Sequence, residues 1–431
     1  MNWETIYRKK ITTVQDALSI IESGNRLYIG GGAGVPVALT QGLTECAPRL
    51  QNVELTHILT FAEAPYVAPE YQDSFRVNAL FIGHNVRRAV QDGRADFTPI
   101  FLSEIPNLFR NGILPIDVAM ISVSPPDDHG FCSFGVEVGT TKPAAESARI
   151  IIAEVNRQMP RTLGDSFIHV SRLNHIIEVD TPIPEAPQGS NSEDNLKIGQ
   201  NIAELIPDGA TLQMGIGSIP DAVLKSLTHH KDLGIHTELF SDGVIDLVEQ
   251  GIITCAKKNF HPGKIIAGFL FGTKRLYEFI HNNPLIELHP TDYVNDPFNI
   301  AQNDNMVAIN SAIQIDLTGQ VCADSIGPRF YSGVGGQIDF IRGAARSSGG
   351  LPIIACPSTA QNGRVSRIVP MLNEGAGVIT TRNDIHYVIT EFGVAQLYGK
   401  TIRQRVQALI NIAHPKFRDQ LNHSAKQLGY I

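Results

Sequence analysis

The chain has 431 residues, of which 43% are apolar, enough for two or three domains with separate buried cores. That excludes a disordered tail protein or a miniprotein, and the absence of a run of about 18 apolar residues excludes a helix that crosses a bilayer. A net charge of -8 argues against nonspecific nucleic-acid binding, which needs a basic footprint.

Residues 1–10 are polar, with no apolar stretch followed by a small-residue cleavage site, so the expected compartment is the cytoplasm. Next comes Gly24-Asn25-Arg26-Leu27-Tyr28-Ile29-Gly30-Gly31-Gly32-Ala33-Gly34-Val35-Pro36, which reads as turn, short strand, glycine-rich loop and a helix opened by proline. Val- and Ile-rich runs at 116–123 and 150–155 read as buried strands. Residues 180–192 replace apolar periodicity with prolines and then small polar residues, the composition of a linker. The expected domains are therefore 1–185 and 186–431.

Beyond the linker, residues 209–223 repeat the first pattern as Gly209-Ala210-Thr211-Leu212-Gln213-Met214-Gly215-Ile216-Gly217-Ser218-Ile219-Pro220. Two domains of one α/β fold with mainly parallel sheets are the expectation, since strands at 116–123, 150–155 and 307–315 alternate with helices at 222–228 and 402–413. Backbone N–H groups of such loops can converge on an anion or an oxyanion. Neither loop has the third glycine of a dinucleotide fingerprint, and Gly399-Lys400-Thr401 lacks the first glycine of a P-loop. The segment 234–243 reads as a strand carrying one carboxylate, Glu238, and ending in a turn. Counted from the two prolines, Glu54 and Glu238 both lie 18 residues on, so spacing leaves the choice between them open. Residues 310–321 read as a strand ending in a turn, and the crowded glycines of 331–344 read as a second set of N–H donors before a helix.

The five cysteines form no Cys-x-x-Cys pair and read as small buried hydrophobes. Fourteen histidines form no His-Glu-x-x-His motif, and the neighbours His229 and His230 would point off a helix in different directions, so no metal site is expected.

The ordered set Ser124-Pro125-Pro126-Asp127-Asp128-His129-Gly130, Gln213-Met214-Gly215-Ile216-Gly217, His236-Thr237-Glu238, Asn310-Ser311, Asp316-Leu317-Thr318-Gly319-Gln320-Val321, Gly335-Gly336-Gln337-Ile338-Asp339-Phe340 and Glu391-Phe392-Gly393-Val394-Ala395 resembles the acetyl-CoA hydrolase/transferase family, most of all its 4-hydroxybutyrate and butyrate CoA-transferases. The resemblance implies two similar α/β domains with the active site in the cleft between them, and Glu238 as the catalytic residue. It places backbone oxyanion donors at Ile216 and Gly336. Coenzyme A would lie along Gln213, Met214, Gly215, Ile216 and Gly217 and near Asn310, Gly335 and Gly336. Some members hold the CoA phosphates with a lysine after the later loop; with no lysine between Lys274 and Lys400, Arg342, Arg346, Arg364 and Arg367 are the candidates here.

The implied reaction moves CoA from an acyl-CoA to a short-chain carboxylate, acetate, butyrate or 4-hydroxybutyrate, by ping-pong steps through a glutamyl-CoA thioester and with no metal. A glutamate with a reference pKa near 4.3 is ionised at neutral pH and needs no partner base. Thioester hydrolysis is the near alternative. A remote one is a nicotinamide-dependent oxidoreductase with Glu238 on a ribose hydroxyl, which the missing glycine disfavours. Family resemblance also implies a homodimer or higher homo-oligomer.

Overall fold

The computed structural model describes residues 2–187 and 192–431; residues 188–191, inside the expected linker, lie outside the described residues. The chain folds into two compact units, each built around a largely parallel sheet. Among the described residues no helix is long and apolar enough to cross a membrane.

The first sheet contains β1 (Arg26–Ile29), β2 (Val53–His57), β3 (Phe75–Ala79), β4 (Asp96–Phe97), β5 (Val118–Val123), β6 (Ile150–Asn156) and β7 (His175–Val179). Their order is β7-β6-β5-β1-β2-β3-β4, and every neighbouring pair is parallel. The second sheet contains β8 (Thr211–Met214), β9 (Gly234–Ile235), β10 (Met306–Asn310), β11 (Leu351–Ala355), β12 (Tyr387–Thr390) and β13 (Gly393–Gln396), ordered β9-β8-β10-β11-β12-β13. Only its β12–β13 pair is antiparallel. Central strands carry apolar residues on both faces: all six residues of β5 are buried, as are Met306 to Ile309 of β10.

The five strands β7-β6-β5-β1-β2 follow the same chain order across the sheet as β12-β11-β10-β8-β9, and in each the glycine loop leaves the equivalent strand, β1 or β8. Register then corrects the count from the prolines. Leu27 on β1 pairs with Leu55, and its counterpart Leu212 on β8 pairs with Ile235. Glu54 is therefore matched with Gly234, and Glu238 with Ile58.

Two further expectations change. Residues 266–294 pack with residues 1–186, while the second unit joins 187–265 to 295–431, so the units are not two consecutive pieces. Backbone pairing is the cause: strand Ile286–Leu288 runs parallel to Leu163–Gly164, and the Gly268 carbonyl accepts from Val138 and Gly139 at 3.2 and 3.0 Å. The run 307–315 is not one strand. It breaks after Asn310 and resumes at Gln314–Asp316, which leaves Asn310 at the carboxyl end of β10.

The helix after the first loop, α1 (Val37–Glu45), has Pro36 as its N-cap and no side-chain cap from that residue. Glu154 on β6 takes that role, accepting from the Leu39 N–H at 2.7 Å while only 1% exposed. Burial pushes its carboxyl up to about 7, against partial relief from the Leu39 and Ala38 amides. A carboxyl whose folded value lies above its unfolded value favours folding most when protonated, so this contribution fades as pH rises from about 4.5 to about 7. Glu154→Gln keeps an acceptor without a buried charge. Urea unfolding at pH 5 and pH 8 should show wild type losing about 3 kcal/mol more than the variant over that interval; equal losses would mean the carboxyl is not strained by burial.

Candidate active site

Ligands of open α/β sheets collect at the carboxyl ends of the strands, where the strand order reverses. In the second sheet that point lies between β8 and β10, so the glycine loop 215–217 and Asn310 stand at the switch. Gly217 has φ +115°, a conformation that glycine adopts without strain. A Cβ built on Gly215 or Gly217 would meet nothing within 4 Å.

The matching loop in the first unit is filled. A Cβ on Gly31 would lie 2.6 Å from Ile58 Cγ1, and one on Gly34 3.1 Å from the Glu137 Cβ. Glu137 is itself buried and accepts from the Thr140 and Thr141 amides at 2.9 and 3.2 Å. Paired strands place Ala355 of β11 where the first unit has Glu154. The helix after the second loop, α2 (Ser218–Ser226), starts at Gly217, which has no side chain to cap it, and Pro220 sits in its first turn, where a missing N–H is tolerated. Of the two copies, the second keeps an open loop at a helix terminus with positive dipole.

Glu238 lies three residues past the end of β9 rather than on a strand. The preceding residue anchors it: Thr237 Oγ1 accepts from the Met214 N–H at 3.3 Å and lies 2.8 Å from the Met214 carbonyl, which ties the glutamate segment to the start of the glycine loop. Asn295 Nδ2 donates to Glu238 Oε2 at 3.0 Å, and the Gly336 N–H donates to the same carboxyl. Gly336 opens α3 (Gln337–Arg346), and a Cβ there would fall 2.1 Å from both Glu238 Oε2 and Asn295 Nδ2. Only glycine fits. Gly335 beside it has φ +59°.

The Glu238 side chain remains partly accessible, yet the packing around the carboxyl pushes it up to about 7, with the Asn295 and Gly336 hydrogen bonds acting in the opposite direction. The carboxyl is thus held well above the ordinary glutamate range expected from sequence, which brings its titration toward neutral pH. Glu54 differs in kind. Burial raises its carboxyl, but Arg26 on both oxygens at 2.9 Å and Asn78 at 3.1 Å more than offset this and hold it below the usual range. It is a structural ion pair.

Gln213 is buried, and its Oε1 accepts from the Ile309 N–H at 3.1 Å and from Asn310 Nδ2 at 3.0 Å, so its amide oxygen clamps β8 to β10 and orients Asn310. Met214 is buried, whereas Ile216 is 37% exposed at the loop tip. The structure thus joins Glu238 to Gly336, and Gln213 to Asn310, along one sheet edge. Asn295 was not found from sequence. It is fully buried, and among the described residues its Oδ1 has no partner. Nothing in the Asp292-Tyr293-Val294-Asn295-Asp296 stretch marks it, since its role depends on a contact 57 residues away in sequence. Among the described residues no group of three or more His, Cys, Asp or Glu is placed to hold a metal ion.

Residues 1–186 match the acetyl-CoA hydrolase/transferase N-terminal domain, and residues 272–425 match the C-terminal domain of that family. Over 427 residues the chain is 53% identical to a 4-hydroxybutyrate coenzyme A transferase of Clostridium kluyveri, covering 99% of this chain and 100% of that one. It is 50% identical over 415 residues to a succinyl-CoA:acetate/propanoyl-CoA:succinate CoA transferase of Fasciola hepatica, covering 95% and 86%. A crystal structure of a 4-hydroxybutyrate CoA-transferase from Porphyromonas gingivalis matches with a TM-score of 0.86 at 44% identity, over 99% of this chain and 100% of that one.

Proposed function

The chain belongs to the acetyl-CoA hydrolase/transferase family and is an enzyme of the CoA-transferase type, and from that premise we propose that it moves CoA between acetyl-CoA and 4-hydroxybutyrate or butyrate through a thioester on Glu238. The observation that carries this reading is the Glu238 carboxyl held by Asn295 and Gly336 beside an open glycine loop.

In the proposed sequence, ionised Glu238 attacks the thioester carbonyl; the C–S bond breaks, giving a mixed anhydride and CoA thiolate. The thiolate attacks the glutamyl carbonyl and releases the donor carboxylate, leaving CoA on the enzyme. An acceptor carboxylate reverses the steps, so kinetics are ping-pong. Each tetrahedral intermediate carries an oxyanion, for which the Ile216 and Gly336 N–H groups are the donors, each worth roughly 2.7–4 kcal/mol. The Gly336 N–H serves the resting carboxyl and transfers to the oxyanion as the carboxyl oxygen becomes acylated. The loops at Gln213 to Gly217, Asn310, Gly335 and Gly336 receive CoA in the same reading. The resemblance further supports a cytoplasmic homo-oligomer; sedimentation of the purified chain tests the oligomeric state.

The test is the intact mass after incubation with acetyl-CoA or butyryl-CoA, followed by peptide mapping after borohydride or hydroxylamine treatment. A gain equal to CoA minus water, mapped to Glu238, is the expected result. Free thiol released without a carboxylate acceptor and without an adduct would favour hydrolysis. Relatives of about equal identity act on different acids, so the acceptor panel should include succinate and propionate.

Asn295 is a positioning residue in this scheme. Asn295→Ala removes a donor that favours the ionised carboxyl, so kcat should fall about tenfold and the pH at half-maximal kcat/KM should move upward. A fall in kcat with an unmoved pH profile would make Asn295 merely structural.

A further inference from the structure

The strand that leads to Glu238, β9, is an edge of the second sheet and has only two residues, Gly234 and Ile235. The amides of Gly234 and His236 donate inward, to the Ala210 and Leu212 carbonyls at 2.8 and 3.1 Å. Alternate residues of a strand face opposite neighbours, so the N–H and C=O of Ile235 point away from β8, where a further strand would pair. Residues 252–255 pair with Leu233 just upstream. At Ile235 side chains take over. Its N–H donates to the Cys255 sulfur, and Lys258 Nζ donates to its carbonyl at 2.9 Å and to the Lys264 carbonyl at 2.7 Å.

Lys258 is only 3% exposed, a rare burial for an ammonium group. Its stem runs against Gly234: a Cβ on that glycine would fall 2.5 Å from Lys258 Cγ. Phe260 of the same loop packs 6.1 Å from the ring of His236, which is fully buried and also meets Phe340 edge to face at 6.2 Å. Phe340 stands in the first turn of α3, where its N–H donates to the Gly336 carbonyl at 3.1 Å. The loop carrying Lys258 therefore grips the segment before Glu238 directly and, through one imidazole ring, reaches the helix that Gly336 opens. Closing a sheet edge needs no buried charge; a charge-assisted bond to one carbonyl fixes a position more firmly than a neutral one.

We propose that Lys258 is a positioning residue for the transfer reaction: by pinning the Ile235 carbonyl it fixes the reach of Glu238 to Asn295 and to the Gly336 N–H. This rests on the reading of Glu238 as the nucleophile. Those two hydrogen bonds favour the ionised carboxyl, so a segment that loosens while its packing stays closed weakens them and moves the titration of the carboxyl to higher pH. Lys258→Met produces that state, since methionine keeps an unbranched stem beside Gly234 and removes the ammonium. Gly234→Ala reaches the same bond from the other side, because its methyl displaces the lysine stem.

The experiment measures kcat, KM for butyryl-CoA and the pH dependence of kcat/KM for wild type, Lys258→Met, Gly234→Ala and the double variant, and follows the CoA adduct by intact mass. Lys258→Met should lower kcat about tenfold and raise the pH at half-maximal kcat/KM by about half a unit, with KM within about twofold of wild type. Gly234→Ala should shift the profile the same way, and it carries the test alone should Lys258→Met not fold. The double variant should shift no further than Lys258→Met, because no ammonium is left to displace. A lower unfolding midpoint with an unmoved pH profile would make Lys258 a cover for the sheet edge and overturn the proposal, as would additive shifts. An adduct on Glu238 that wild type and Lys258→Met form equally fast would also overturn it and leave the transferase reading standing. A wild type that turns over butyryl-CoA with no adduct on Glu238 would sink that reading and the positioning role with it.

Discussion

Glu238→Gln is expected to lower kcat for CoA transfer by about 10⁴-fold or more and to abolish the covalent CoA adduct, with the fold intact. The amide fits the same space and still accepts from Asn295 and Gly336, but it cannot attack a thioester. Circular dichroism and unfolding midpoints should match wild type at pH 6 or exceed it at pH 8, where wild type buries a charge that the variant lacks. Near-normal turnover would remove Glu238 from the mechanism. The same carboxyl sets the pH dependence. With its value pushed up to about 7, kcat/KM of wild type should rise through that pH and level off above it, because only the ionised form attacks. An unperturbed glutamate would instead give a flat profile from pH 5.5 to 8.

Gly336→Val should be the most damaging change outside the glutamate itself. Its backbone, at φ -98°, would accept a side chain; the obstacle is that the first carbon would lie 2.1 Å from Glu238 Oε2 and Asn295 Nδ2. The carboxyl must move, and an oxyanion donor is displaced with it, so a loss in kcat of about 10²-fold or more is expected. Gly215→Val is the contrast. Nothing in the protein lies within 4 Å of a Cβ there, so the variant should fold normally and its defect should appear where the loop meets CoA, in KM. Unchanged kinetics in Gly336→Val would refute the oxyanion assignment.

The glycine loops were legible because their chemistry is local: a short strand, glycines and a proline within about sixteen residues determine the turn. Strand alternation likewise sufficed for α/β units with parallel sheets. What depended on contacts distant in sequence was hidden. Counting from the prolines equated Glu54 with Glu238, although pairing of β1 with β2 and of β8 with β9 separates them by several residues, and family resemblance rather than spacing singled out Glu238. Residues 266–294 carry no compositional mark of joining the first unit, because backbone pairing with 163–164 and 138–139 holds them there. Asn295 and the raised carboxyl of Glu238 arise from side chains that meet only after folding.

The reciprocal exchange at matched positions has an evolutionary consequence. The first unit carries Ile58 and Glu154 where the second carries Glu238 and Ala355. Ile58→Glu alone would bury a second carboxylate beside a loop whose helix already draws on Glu154, and Glu154→Ala alone would leave the Leu39 and Ala38 amides without that acceptor. Each of these two steps is uphill when taken alone, so exchanging the pattern of the first copy for that of the second by Ile58→Glu and Glu154→Ala passes through a destabilised intermediate.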